Sequence, residues 1–206
     1  MEESAPAERV LDFWFGKIDA TQQCEPAFIQ RWWKKDPNFD QQLRDEFGAL
    51  HTSVTLKQSR AERPSWMDSP PGLLAAIILV DQFSRNMFRG SAQMYKHDEL
   101  AQAWSLEAVA FGYHQTLAAP HATFLLMPLM HSEKLIDQER CITLFTELGA
   151  RLQGGAAEMA AKNASFAKQH RDIIAQFGRF PHRNALLGRQ SSNEELTFLQ
   201  QPGSSF

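Results

Sequence analysis

Cysteine is scarce in this chain. The two that occur, Cys24 and Cys141, have no CxxC or zinc-knuckle spacing, which excludes a disulfide-stapled scaffold and fits a reducing compartment. Cys141 shares a helical face with Leu144, Phe145 and Leu148 and reads as a small core residue. Cys24 precedes Pro26 in a polar loop and reads as an incidental free thiol. A basic excess is also missing. The net charge of -3 argues against a general nucleic-acid binder, so any cationic site must be local. Long apolar runs are absent. The strongest, Leu73 to Val80, falls far short of the roughly 20 residues that a membrane span needs. Met1 to Arg9 is acidic and has no apolar signal core, so the expected location is cytoplasmic, with no membrane partner. Alternating apolar–polar runs and Asn-Gly or Asp-Gly turns are missing, which leaves no convincing strand. Gly154-Gly155 lacks the Lys-Ser/Thr that would follow it in a phosphate loop. No histidine pair has His-x-x-x-His or Glu-x-x-His spacing, so neither a metal nor a cofactor is expected.

What the chain does have is helical periodicity. Its 206 residues suit one domain, and hydrophobic and charged shares of 43% and 22% are those of a globular protein. Phe39, Leu43, Phe47, Leu50 and Val54 recur at steps of three and four, after an Asp36-Pro37 start. Val10 to Phe15 is apolar and is followed by Gly16. Pro70-Pro71 opens a segment from Leu73 to Val80 that is apolar all round, which places it in the middle of the domain. Leu100, Trp104, Ala108 and Phe111 mark another helix. Phe124 to Met127 leads to Pro128, which reads as a break. Helices through Leu135–Leu148 and Phe166–Phe177 follow, with Gly154-Gly155 between them. Ser191 with Glu194 and Ser192 with Glu195 form overlapping capping boxes for a last short helix. The expectation is an all-α fold of roughly eight to ten helices in antiparallel pairs. It forms a single domain over 1–200, with a polar loop from Arg60 to Ser69 and a flexible tail at 201–206.

Two polar segments stand out. Asp81, Arg85 and Arg89 follow the apolar helix at four-residue spacing, and Gln82 and Asn86 form a parallel amide stripe. Emerging from so apolar a helix, these charges need partners. They are either an ion-pair network that pins helices together, or a pocket wall where Arg85 and Arg89 grip a carboxylate or phosphate. The second segment holds His170 and then Arg179, His182, Arg183, Asn184 and Arg189. No acidic residue lies between Ile173 and Asn193. Pro181 reads as the first residue of a short helix whose backbone N–H groups at His182, Arg183 and Asn184 would face an anion. Asp81, Glu133, Glu194 or Glu195 could neutralise this segment, or a bound anion could. Between the two segments, His131-Ser132-Glu133 invites an acid–base reading, with Ser132 as the N-cap of the next helix. His51, His97, His114 and His121 read as surface or helix-end residues.

These stretches together resemble the bacterial family catalogued as domain of unknown function 924. The resemblance rests on Val10-Leu-Asp-Phe-Trp-Phe-Gly16, Arg31-Trp-Trp33, Asp81-Gln-Phe-Ser-Arg-Asn86 with Arg89-Gly90, and His131-Ser-Glu133. Phe177-Gly-Arg-Phe-Pro-His-Arg-Asn184, Leu187-Gly-Arg189 and Glu194-Glu195 complete it. It covers nearly the whole chain and implies a tetratricopeptide-like α-α superhelix; it implies no agreed activity.

The leading functional expectation is a cationic pocket that binds a small carboxylate- or phosphate-bearing ligand, with catalysis on that ligand left open. Asp81, Arg85, Asn86, Arg89, Arg179, Arg183, Asn184 and Arg189 would contact the ligand. His131, Glu133, His170 and His182 are the candidate catalytic groups, a histidine carrying the proton and Glu133 orienting it or acting as base. The alternative is a non-enzymatic, peptide-binding helical-repeat module anchored by Trp32 and Trp33. Recognition of RNA backbone by the 179–189 arginines is a third class, disfavoured by the acidic net charge.

Overall fold

Proline fixes where several helices begin, because its locked φ and missing N–H suit a first turn. In the computed structural model, which describes residues 6–56 and 61–205, prolines open α1 (Pro6–Phe15), α2 (Pro26–Trp33), α3 (Pro37–Thr55) and α4 (Pro70–Ile78). Met1 to Ala5 of the acidic leader, Arg60 at the start of the polar loop and Phe206 at the tail's end lie outside the described residues. Asp36 caps α3 by accepting from the N–H groups of Asn38 and Phe39. α4 runs without a break through a π-helical stretch, Leu79–Phe83, into α5 (Ser84–Met87). Then come α6 (Asp98–Ala110), α7 (Tyr113–Thr116), α8 (Ala119–Met130), α9 (Leu135–Ala150), α10 (Gly154–Phe177) and α11 (Asn193–Phe198). With the α4–α5 rod taken as one, ten helices form among the described residues, within the eight to ten that the periodicity predicts. The described residues contain no strand, only an isolated bridge between Ile18 and Cys24. None of their helices is long and apolar enough to cross a membrane.

α4 is the centre of the core. Leu74 through Val80 are fully buried, and α4 packs against α1, α6 and α8. Each such aliphatic side chain contributes about 1.5–3 kcal/mol by leaving water. On one side lies an aromatic nest: Trp14 stacks on Trp32 at 6.2 Å and on Phe39 at 6.3 Å, and meets Phe124 edge-on at 5.6 Å. Arg31 lies over the rings of Phe13, Phe28 and Phe39 and donates to the Phe13 carbonyl. Trp32 Nε1 donates to the Trp14 carbonyl at 2.8 Å. The Arg31-Trp-Trp33 string therefore ties α2 to α1; Trp32 belongs to the core, whereas Trp33 is 63% exposed.

Two expectations change here. Pro128 does not break the chain: α8 continues to Met130, because Phe124 through Met130 are buried together and packing outweighs the hydrogen bond that proline removes. Gly154 and Gly155 do not separate helices from a distance but begin α10, which extends 24 residues against α9 and ends at Gly178, whose φ of 70° only glycine takes readily.

Gly72 marks the tightest packing. A Cβ built there would lie 1.7 Å from the Trp66 carbonyl oxygen. Gly72→Ala should therefore destabilise the protein by about 3 kcal/mol or more, read as a drop in the urea midpoint; an unchanged midpoint would contradict this packing.

Candidate functional site

The π-helical stretch inserts one extra residue per turn and re-aims the side chains that follow the apolar helix, a device frequent at functional sites. Asp81 sits within it and is fully buried. Its Oδ1 meets Arg85 Nη2 at 3.1 Å, the i,i+4 pair read from the spacing, and its Oδ2 accepts from Gln82 Nε2 at 2.6 Å. The expected three-charge stack does not form. The helix ends at Met87, so Arg89 lies beyond it and turns to α3, where it binds both oxygens of Asp40 at 2.7 and 3.0 Å. Nor do Gln82 and Asn86 make a stripe of side-chain amides: Asn86 donates to the backbone carbonyl of Gln82 and accepts from Arg89.

His131 closes the C-terminus of α8 and brings its Nδ1 to 2.8 Å from Asp81 Oδ1. Asp81, not Glu133, is the carboxylate that orients a histidine. With Asp81 ionised, Nδ1 carries the hydrogen and donates, which leaves Nε2 as a lone pair. Nε2 makes no hydrogen bond among the described residues, and the side chain keeps 16% of its surface. Burial alone would raise the Asp81 carboxyl, but the Arg85 guanidinium and His131 outweigh it and hold it well below the usual range. Burial and then Arg85 push His131 below its ordinary value, with Asp81 opposing them. At neutral pH the pair is a carboxylate and a neutral imidazole.

Arg183 joins this group from the C-terminal segment. Nη1 donates to Asp98 Oδ2 at 3.1 Å and Nη2 to the His131 carbonyl at 3.0 Å. Asp98 also pairs with Arg85 at 3.2 Å, so two arginines face two aspartates. The Tyr95 ring lies 4.7 Å from the Arg183 guanidinium carbon and 5.6 Å from that of Arg85. Arg183 Nε is buried with no acceptor among the described residues. His170 and His182 stand beside the group, within electrostatic reach of Arg183. Burial, before any charge, lowers them to about 3 and about 4.

The other predicted residues are drawn into scaffold bonds. Arg179 binds both oxygens of Glu195 at 2.7 and 2.8 Å and holds that carboxyl down to about 2. Arg189 binds Glu133 at 2.7 and 3.0 Å, and Asn184 links Arg189, Ser191 and Glu195. Pro181–Arg183 is a single 3-10 turn. Its anion is internal: Glu133 Oε1 accepts from the Phe180 N–H at 2.8 Å, while the N–H groups of Arg183 and Asn184 bond to Phe180 and Pro181 carbonyls. Of the acids read as neutralisers, Glu133 and Glu195 act on this segment, Asp81 acts on Arg85, and Ser192 with Glu195 is the capping box that forms. Ser132 is not the N-cap of α9, a position held by Lys134. Its buried hydroxyl donates to Asp137 at 2.8 Å and accepts from the Lys134 N–H.

Sequence reasoning missed Asp98, Tyr95 and Asp40. A charge count could have flagged the first, since Asp81 alone cannot serve two buried arginines. His51 and His114, read as surface or helix-end residues, do not lie at the surface. Both are buried, and His51 Nε2 lies 2.8 Å from Ser84 Oγ.

Residues 10–203 match the model of a family described as "Bacterial protein of unknown function (DUF924)". The chain is also similar to the solved structure of a protein of unknown function from Agrobacterium tumefaciens. That protein is 33% identical, with a TM-score of 0.74 over 94% of this chain and 96% of that one. No curated protein matches the chain.

Four imidazoles, two of them buried (His51 and His170) and two half-buried (His121 and His182), make stability depend on acid. Burial lowers His51, His121 and His182 to about 4 and His170 to about 3, all below the 6.5 of the unfolded chain. The unfolded state therefore takes up protons first as pH falls. Stability should be whole above about pH 6.5 and decline steadily towards about pH 4, with His51→Gln removing close to one proton from the slope. Urea midpoints that stay level across that window would overturn this assignment.

Proposed function

Since the chain belongs to the bacterial family of unknown function DUF924, whose label fixes no reaction, we propose from its geometry that His131 is the proton acceptor of a small-molecule site. The observation that carries this reading is the Asp81–His131 pair: a fully buried carboxylate fixes the tautomer of a neutral imidazole whose other nitrogen has no partner among the described residues. That is what general-base catalysis requires, namely a basic lone pair, a fixed ring and a pKa near or below working pH. The ligand is a small carboxylate or phosphate. Arg85 and Arg183 supply the positive side of the site, and Arg183 Nε, buried and without an acceptor among the described residues, is a donor that Asp81 and Asp98 leave unused. His182 and His170 form its flank. Arg89, Asn86, Arg179, Asn184, Arg189 and Glu133 support the site from behind through the bonds described above. The close packing of α8 on α9 and of α9 on α10 favours the tetratricopeptide-like superhelix as the frame.

Inorganic phosphate and acetate serve as probes, with the His131 ring nitrogens followed by NMR. At neutral pH the Nδ1–H tautomer should be seen, one or both anions should shift the Nε2 resonance, and His131→Gln should abolish the accompanying rise in Tm. If neither anion moves Nε2 or Tm, the reading fails. If Asp81→Asn leaves the tautomer unchanged, Asp81 does not orient the ring.

A further inference from the structure

A cavity of about 70 Å3 lies between the 22–24 turn, α2, the start of α8 and the first half of α10. It shares no residue with the His131 group. One water needs only about 10–15 Å3, so this is room for a guest. Interiors pack as densely as organic crystals, and the atoms around a void lose contacts that a guest would restore.

Its walls define the guest. Trp32, Trp33 and Phe124 present rings, and Met159 offers a thioether, a combination suited to ring edges and faces. Trp33 and Met159 are 63% and 42% exposed at the mouth, so large apolar surface meets water where a guest would cover it. Among the described residues no charged side chain lines the hollow, so an ion would be desolvated without compensation. One polar group is under-bonded. The amide of Asn163, buried in the wall, reaches Thr123 Oγ1 only at 3.5 Å, beyond the usual length for an N–H donor. Burial pushes the Cys24 thiol up to about 11, so it adds no negative charge.

The mouth is also where the backbone is strained. Gln22 has a φ of 59°, which costs a non-glycine residue about 1–3 kcal/mol. Its turn is held over the cavity by Asp19, which accepts from the N–H groups of Thr21 and Gln23, and by Gln22 Oε1, which accepts from the Ala119 N–H.

We propose that this cavity binds a small, neutral aromatic molecule carrying one hydrogen-bonding group, with its ring among Trp32, Trp33 and Phe124 and its polar atom on Asn163. Phenol and indole are the probes, used with the full chain and read by tryptophan fluorescence and by the Asn163 side-chain amide resonance. Either probe should shift that resonance saturably. Ala156→Leu, which fills the void, should weaken binding by about tenfold or more while Tm holds or rises, and Trp33→Ala at the exposed rim should weaken it several-fold in a folded protein. Two results would overturn the proposal: neither probe shifts Asn163, or both bind Trp33→Ala and Ala156→Leu as tightly as the native chain. His131→Gln should leave this binding untouched, which separates the two sites.

Discussion

Asp81 is an ion without access to water, set at the end of the most apolar helix of the chain. A buried carboxylate is costly, by several kcal/mol even after relaxation, unless cations and donors surround it. Arg85 is placed by helical spacing, Gln82 by adjacency and His131 by the end of α8. Arg85 in turn requires Asp98, and Asp98 is shared with Arg183 from the far end of the sequence. One buried charge thereby links α5, α6, α8 and the 3-10 turn at 181–183. That chain of compensation is what brings an oriented imidazole, two guanidiniums and a tyrosine ring together.

The C-terminal segment is fastened by the same logic, each arginine on a carboxylate: Glu195 for Arg179, Glu133 for Arg189, and for Arg183 the Asp98 it shares with Arg85. Its cationic surplus exists only along the sequence. In space the acids come from α11, from the turn before α9 and from α6. Forked guanidinium–carboxylate contacts fix orientation as well as distance, so they tie down a run rich in arginine and poor in regular structure. The strings that mark the family divide accordingly. Val10 to Gly16 and Arg31-Trp-Trp33 build the aromatic nest, most of the 177–189 string fastens the C-terminal segment, and Asp81, Arg85, His131 and Arg183 are left around the His131 Nε2 lone pair.

Much of this was legible in advance. The apolar run from Leu73 to Val80 announced a central helix because nothing polar interrupts it. Asp81 and Arg85 announced a pair because four residues make one helical turn. The partition between fastening and site was not legible. Arg89 and Arg85 look alike in sequence, yet Arg89 falls two residues past the helix end and finds Asp40. Glu133 and Asp81 are equally plausible companions for His131 by type, and only the direction of α8 chooses between them. Pro128 misled for a related reason: its local cost is real, but the burial of the whole turn is larger.

The sequence by itself determined the helices, the central position of α4, the need of its polar sequel for charged partners, and the family. These rest on short-range periodicity and on the cost of burying charge, which any chain must obey. Tertiary structure alone decided which acid meets which arginine, which histidine is oriented, and where rings enclose an empty space. Those outcomes depend on angles between elements dozens of residues apart, and no local pattern encodes them.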